Sequence, residues 1–111
     1  MSLLTASLTG QAATIAATAT VVSGIRLHHA KRWHLVVKNT HGSQTLTACR
    51  IRRYAQDGST PGPWESVTTG LPVAAGASLS IRETDDCSDT LDLELTASGA
   101  DTPVTIDLAG V

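Results

Sequence analysis

The sequence is poor in charge and in aromatic side chains. Only 16% of its 111 residues are charged, and its aromatic residues are two tryptophans and one tyrosine. Soluble domains average about 25% charged residues, so much of this surface must consist of uncharged polar groups. Because the net charge is −2 and few rings are available to stack on bases, the composition argues against nucleic-acid binding.

Long hydrophobic runs are also missing. Polar residues interrupt each apolar stretch well before the roughly 18 residues that a membrane-spanning helix needs. Residues 1–5 carry no basic segment of the kind that opens a secretory signal. The sequence therefore predicts a soluble protein made in the cytoplasm, with no membrane partner.

Cysteine is scarce, at two residues. Cys49 and Cys87 could form one bridge, but two buried thiols are the better interpretation in a reducing cytoplasm. A chain of this length can bury about two thirds of its unfolded surface, so it can fold without a disulfide or a metal. We expect one domain, no required disulfide and no cofactor.

Threonine, serine and alanine take the place of the missing charge, and they suit strands better than helices. Apolar and polar positions alternate in several segments, and turn signals recur about every ten residues. These features predict an all-β fold, an antiparallel, jelly-roll-like β-sandwich of about seven or eight short strands. The predicted core comprises Trp33, Leu35, Val37, Leu79, Ile81, Leu91, Leu93, Leu95, Val104 and Ile106.

Two segments near the amino terminus need separate interpretations. Residues 1–11 lack a clear period, so we predict an amino-terminal arm, which either frays or docks, before a single sandwich domain over 12–111. Residues 12–22 alternate small apolar residues with threonine, which predicts one continuous strand. Further along, the alternation changes parity near Cys49, which predicts a β-bulge.

No set of residues has the spacing of a catalytic or metal site. The histidines lack a nearby Cys or carboxylate at ligand spacing, and the acidic loop 83–89 lacks the pattern of a calcium-binding loop. Asp92 and Glu94 lie on the polar side of one strand, and we predict that this side is exposed to solvent. There is no nucleophile-elbow or phosphate-loop motif. We predict that the protein binds no metal and is not an enzyme.

Three arginines on one strand, Arg50, Arg52 and Arg53, form the most conspicuous cationic feature. Arginine is enriched at interfaces, so this strand can be a docking face; equally, its side chains can pair within the chain with the acidic loop 83–89. Trp64 fits either the core or an exposed interface anchor.

Leucines in the arm have no place in the alternating core, and exposed leucines of this kind usually find a neighbour. Together with the arginine strand and Trp64, these leucines are candidates for contact with a partner. The predicted partner interface comprises Leu3, Leu4, Leu8, Arg50, Arg52, Arg53 and Trp64.

Over most of its length the chain resembles the small β-sandwich decoration, cement or staple proteins of tailed bacteriophages. The resemblance lies in the short Thr/Ala/Gly-rich strands, the scarcity of lysine, the arm over 1–11 and the connection over 70–76 before Leu79 and Ile81. It implies a structural virion protein on the capsid exterior, in many copies, that bridges neighbouring major capsid subunits and stabilises the shell.

Two alternatives remain open from the sequence. The domain can belong to the tail, neck or fibre of the same kind of particle. A carbohydrate-binding module is a third interpretation, but it needs exposed aromatic platforms, and only Trp33, Tyr54 and Trp64 are available. The partners we expect are the major capsid protein and further copies of the chain, as a dimer or another symmetric oligomer.

Overall fold

The computed structural model describes residues 5–54 and 59–111, and these residues form strands without any helix. The predicted all-β class is therefore confirmed. No helix in these two ranges could cross a membrane. The strands are β1 (Ala6–Ile15), β2 (Thr20–Arg26), β3 (Trp33–Asn39), β4 (Leu46–Arg53), β5 (Glu65–Val67), β6 (Ser78–Glu83), β7 (Thr90–Ala97) and β8 (Thr102–Gly110).

The strands form two four-stranded sheets that pack face to face. Sheet A has the order β1-β8-β3-β6, and sheet B has the order β2-β7-β4-β5. Every neighbouring pair is antiparallel. The nested pairing of β1 with β8, β2 with β7, β3 with β6 and β4 with β5 is that of a long hairpin rolled into a jelly roll, as predicted.

Alternation along the strands places one side of each sheet in the core. In β3, for example, Leu35 and Val37 are fully buried, whereas the alternate residues His34 and Val36 are only half-buried. All of the predicted core residues are buried, and they are joined by residues such as Ile15, Leu27 and Leu46. Burying one such side chain contributes about 1.5–3 kcal/mol, so this alternation supplies most of the driving force for folding.

The prediction of one continuous strand over 12–22 is wrong. β1 ends at Ile15, β2 begins at Thr20, and a bend over 16–19 carries the chain from sheet A to sheet B. The Thr20 hydroxyl accepts a hydrogen bond from the Ala16 N–H at 3.0 Å, which supports the bend. Alanine and threonine fit either a strand or a bend, so their alternation could not reveal the crossing.

The segment predicted as an arm differs from the expectation over its described part. Residues 6–11 belong to β1, where Ala6 lies opposite Gly110 of β8. A bulge between Leu8 and Gln11, with Gly10 at a φ of 63°, interrupts the register. The bulge hides the period of two, which is why the segment reads as irregular in the sequence.

A register shift also occurs in β4, where the parity of the sequence changes. It lies between Leu46 and Ala48, so the bulge predicted near Cys49 is present two residues earlier along the strand. Leu46 and Cys49 both remain buried on its two sides. The bulge therefore lets β4 keep an apolar inner side although its alternation slips.

The two cysteines are free thiols in different environments: Cys49 is buried and Cys87 is exposed. The prediction that both are buried is thus wrong for Cys87, which lies in the loop between β6 and β7. Burial, together with the nearby charge of Glu94, raises the pKa of the Cys49 thiol to about 12.

We expect the two thiols to react with an aromatic disulfide reagent at very different rates. The thiolate is the reactive form, so Cys87 should react quickly in the native protein, and Cys49 only after unfolding in denaturant. The measurement is the absorbance of released thiolate against time, with Cys87→Ser as the control that removes the fast reaction. A fast reaction that persists in Cys87→Ser would contradict the burial of Cys49.

Candidate functional site

Polar and charged side chains concentrate on the outer faces of the two sheets, which differ in how their charges are paired. On sheet B the outward residues of β4 and β7 lie directly opposite each other in the register. Arg50 faces Glu94, and Arg52 faces Asp92. Directly opposed side chains of unlike charge are close enough in an antiparallel pair to bond, so this register builds a ladder of ion pairs across the sheet.

The pair between Arg50 and Glu94 is bidentate. The Nε and Nη2 groups of Arg50 donate to the two carboxylate oxygens of Glu94 at 2.8 and 2.9 Å. These hydrogen bonds hold the pKa of Glu94 below its usual value. The side chain of Arg50 is still 42% exposed, so solvent weakens the contribution of this pair to stability.

Asp92 is the best-buried charge on this face, with 3% of its side chain exposed. It accepts hydrogen bonds from Arg52 Nη2 at 2.8 Å, from the Tyr54 hydroxyl at 2.8 Å and from the Gly24 N–H at 3.1 Å. Burial opposes ionisation of Asp92, but these donors outweigh it and its pKa lies below the usual value. The expectation that this position is exposed is wrong, because β4 and the bulge of β2 supply donors on both sides.

Trp64 covers the arginine ladder from outside. Its ring centroid lies 5.0 Å from the guanidinium carbon of Arg50 and 4.5 Å from that of Arg52. Both distances are within the range of cation–π attraction. The residue is half-buried and is not part of the core, so the core alternative for Trp64 is wrong.

Arg53 follows the inward parity of β4 and ties the two sheets together at one end of the sandwich. Its guanidinium lies 3.2 Å from Glu65 of sheet B, 2.7 Å from Glu83 of sheet A and 3.7 Å from Asp86. Asp86 also accepts a hydrogen bond from the Trp33 indole at 2.8 Å. For Arg53, therefore, the internal pairing with the acidic loop 83–89 is the observed alternative.

Asp86 stays ionised although it is partly enclosed. Desolvation opposes its charge, but hydrogen bonds from Ser88 and Trp33, an amide hydrogen bond from Cys87 and the nearby Arg53 hold its pKa below the usual value. The carboxylate thus links the core tryptophan of sheet A to the arginine of sheet B. This end of the sandwich is pinned by charge as well as by apolar contacts.

The structure brings together only part of the interface predicted from the sequence. Arg50, Arg52 and Trp64 form one cluster, whereas Arg53 lies on the other side of β4. Leu8 is half-buried against the core, so it has a place in the fold that the sequence did not reveal. Leu3 and Leu4 lie outside the described residues. Their contact with a partner stays a prediction.

The outer face of sheet A is different. It is built mainly from short side chains, with charge at a few positions only. Its outward residues are Ser7, Ala12, Thr14, His34, Val36, Lys38, Ser78, Ser80, Arg82, Pro103, Thr105, Asp107 and Ala109.

Cations on and beside this face have no carboxylate partner within 5–54 and 59–111. This holds for Arg32 just before β3, for Lys38 of β3 and for Arg82 of β6, whereas the arginines of sheet B are all paired. The outward carboxylate of sheet A is Asp107, whose Oδ1 already accepts the Gly10 N–H at 2.7 Å. Sheet A therefore presents positive charge that remains available.

A shallow cavity of about 290 Å³ lies at one end of this face. Arg32, His34 and Arg82 surround it, and Ala109 and Gly110 contribute to its lining. The imidazole of His34 is also hydrogen-bonded to the hydroxyl of Ser80 on the neighbouring strand. Glu83 lines the cavity as well, so this end of sheet A combines apolar lining with charged side chains of both signs.

Metal-binding geometry is absent from the described part of the chain, where no three His, Cys, Asp or Glu side chains converge. His29 instead lies 3.4 Å from Asp89, which also contacts Arg26 at 3.5 Å. These contacts join the turn after β2 to the loop before β7.

No protein-family model and no curated protein matches this chain. Solved structures do share its fold. PirA has a TM-score of 0.52 at 12% identity, with 92% of this chain and 93% of PirA covered. The CBM22-1–GH10 modules of xylanase 10B from Clostridium thermocellum, in complex with xylohexaose, have a TM-score of 0.51 at 8% identity, with 100% of this chain and 29% of that chain covered.

A protein of the infectious bursal disease virus, Gx strain, is a third neighbour. Its TM-score is 0.48 at 13% identity, and the match covers 93% of this chain but only 30% of the viral chain. This chain therefore spans less than a third of the viral protein. The first two similarities show a shared fold alone, and the third is too distant to bear on function.

Proposed function

We propose that this chain is a structural virion protein that binds the outside of a phage capsid and bridges neighbouring major capsid subunits, so that the shell is stabilised. The observation that carries the proposal is the contrast between the two outer faces. Sheet B neutralises its own arginines, whereas sheet A offers short side chains and cations that have no carboxylate partner within residues 5–54 and 59–111.

Docking through sheet A is energetically simpler than docking through the arginine strand. Arg82 and Lys38 can pair with carboxylates of a partner without first breaking an ion pair of their own. Arg50 and Arg52 would have to leave Glu94 and Asp92 to do the same. We therefore place the main contact on sheet A, and contact through Arg50, Arg52, Arg53 and Trp64 stays a prediction from the sequence.

The size and stiffness of the molecule suit a clip between subunits. With extents of 38 × 32 × 22 Å, one broad face has room for the roughly 800 Å² that each partner buries in a standard interface. The links from Arg53 to both sheets oppose shearing of the sandwich. On a shell with many equivalent sites, a rigid body that touches two subunits gains from effective concentration even when each contact is weak.

The carbohydrate alternative needs exposed aromatic platforms, and the aromatic residues of the described chain already make contacts within the protein. Trp33 is buried, Trp64 is stacked on two arginines, and Tyr54 donates its hydroxyl to Asp92. Trp33 is therefore inaccessible to a sugar, and arginine side chains already lie over the rings of Trp64 and Tyr54. The shared fold with the xylanase modules is therefore no support for sugar binding here.

A binding assay on purified, expanded, empty phage shells tests the proposal. We expect the parent protein to sediment with the shells and to raise the temperature at which they open. The double charge reversal Lys38→Glu with Arg82→Glu should weaken binding at least about tenfold, because it replaces two attractive contacts with repulsive ones. The matched control on sheet B, Arg50→Gln with Glu94→Gln, should bind like the parent.

The outcomes separate the two faces and the two kinds of particle component. If the sheet B control loses binding while the sheet A variant keeps it, the docking face is the arginine strand of the original prediction. A parent that does not bind shells, but does bind purified tails or necks, would overturn the decoration function.

A further inference from the structure

The edge strands of the two described sheets are β1, β2, β5 and β6. In β1 and β2 a glycine bulge hinders pairing with a further strand. In β1 the bulge at Gly10 directs its N–H to Asp107 Oδ1 at 2.7 Å, and in β2 the bulge at Gly24 directs its N–H to Asp92 Oδ1 at 3.1 Å. Both glycines have a positive φ. A bulge whose amide is already occupied bends the edge and removes a donor that another chain could use.

The other two edges differ in length and regularity. β5 has only three residues, Glu65–Val67, and follows Pro63 closely. β6 has six residues, Ser78–Glu83, contains no glycine or proline, and pairs with β3 without a register shift. Its other side pairs with no described strand. β6 is therefore the open edge of the sandwich as described.

The register shows which groups β6 presents. The Asn39 N–H donates to the Ala77 carbonyl at 2.9 Å, while the Ala77 N–H donates to Ala74 and the Asn39 carbonyl accepts from Gly76. This one cross-strand bond shows that the odd-numbered residues of β3 direct their main-chain groups to β6. Antiparallel pairs alternate, and the main-chain groups of Leu79 and Ile81 must therefore point to β3. The main-chain groups of Ser78, Ser80 and Arg82 therefore point to the opposite side of β6, where no described strand pairs with them. All three residues are exposed.

We infer that β6 accepts an extended, acidic segment of a partner protein as an added strand of sheet A. Main-chain hydrogen bonds to Ser78, Ser80 and Arg82 would supply affinity, as in other strand additions. A carboxylate on the added strand opposite Arg82 would supply specificity, since Arg82 has no carboxylate partner in the described chain and Lys38 lies on the same face. The inference rests on the proposed function only for the identity of the partner, a capsid subunit.

A second copy of the chain fits this edge less well than an acidic segment. Suppose that two β6 strands pair antiparallel with the inward residues of both strands on the same side of the sheet. Even-numbered residues of one strand then lie opposite even-numbered residues of the other. Arg82 then faces Ser78, Ser80 or another Arg82, depending on the register. The carboxylate of the strand, Glu83, has the inward parity and is already paired with Arg53. Self-pairing therefore leaves Arg82 without a carboxylate.

Ser80→Pro tests the edge directly. It removes an N–H that β3 does not use, and proline is tolerated at an edge strand when its nitrogen faces solvent, so the fold should persist. Ser80→Ala is the matched control, because it also lacks the hydroxyl but keeps the N–H. The probes are two synthetic peptides, one alternating valine with glutamate and the other alternating valine with lysine.

The glutamate peptide should shift the backbone amide NMR signals of residues 80 and 82 in the parent and in Ser80→Ala. Ser80→Pro should lose this binding, and the lysine peptide should bind at least about tenfold more weakly. Arg82 is exposed and takes no part in the ion pairs between β4 and β7, so Arg82→Glu should leave the fold intact. This variant should bind the lysine peptide more tightly than the glutamate peptide. Equal binding of both peptides, no binding by the parent, or full binding by folded Ser80→Pro would overturn the inference.

The shell assay keeps the inference separate from the proposed function. If the parent binds shells and folded Ser80→Pro binds them equally well, the open-edge inference fails and the decoration function stands. If the parent does not bind shells but binds the glutamate peptide, the decoration function fails and the open-edge inference stands. Dimers that disappear in Ser80→Pro, without peptide binding, would overturn the acidic segment in favour of self-pairing.

Discussion

Replacing Asp92 with asparagine is expected to lower the free energy of unfolding by about 2–4 kcal/mol, because it removes the charge from a buried, hydrogen-bonded ion pair. The carboxylate accepts hydrogen bonds from Arg52, Tyr54 and the Gly24 amide. In the variant, the amide NH₂ must face either the Gly24 N–H or the Arg52 and Tyr54 donors, because these groups bond to different oxygens of Asp92. Urea denaturation followed by circular dichroism measures the loss.

Glu94→Gln is the matched control for Asp92→Asn. It removes the same kind of charge from the same strand, but its partner Arg50 is 42% exposed. Water can replace the lost contact there, so the loss should be much smaller. Equal losses in the two variants would contradict the special burial of Asp92.

The Asp92→Asn effect should also depend on pH. The pKa of Asp92 is lowered in the folded protein, so its charge stabilises the fold above the unfolded value of about 3.9, and this contribution is lost as the pH falls through the folded value. The difference in stability between parent and Asp92→Asn should therefore be full near neutral pH and shrink in acid. A difference that grows on acidification would show that the sign is wrong.

Leu93→Ala is expected to cost about 2–5 kcal/mol and to lower the melting temperature by about 10–20 °C. Leu93 is fully buried in β7, between its cross-strand neighbours Val22 and Ile51. Truncation loses apolar burial and leaves a cavity in the middle of sheet B. Differential scanning calorimetry provides the measurement.

Val21→Ala controls for loss of a branched side chain in the same sheet. Val21 is 46% exposed on the outer face, opposite Glu94. Its truncation should change the free energy of unfolding by no more than about 0.5 kcal/mol. If Leu93→Ala also cost less than this, the inward face assigned to β7 would be wrong.

The two outer faces also give the protein different tolerance to surface mutation. On sheet B, Arg52, Asp92 and Tyr54 bond to one another, so a change in one leaves the others with unsatisfied groups. On sheet A, Lys38 and Arg82 bond to no carboxylate within the described ranges, so changing them should alter binding and leave stability nearly intact. Binding and folding can therefore be separated experimentally by face.

The fold class and the core could be predicted from the alternation of the sequence alone. The period of two in β3, β6, β7 and β8 assigns each side chain to one side of a strand, and this assignment is local because a pleated strand allows no other. Leu35, Leu79, Leu93 and Ile106 were therefore identifiable as core residues before any strand order was known.

The positions of the irregular residues and the pairing of the charges depend on how the whole chain folds. The bulges at Gly10 and Gly24 conceal the period of two, so the sequence did not show that 6–11 form a strand or that Leu8 faces the core. Arg52 and Asp92 are far apart in the sequence and meet only because β4 pairs with β7 in one register. Strand order depends on the packing of the whole chain, so the paired face and the open edge at β6 could emerge only from the folded molecule.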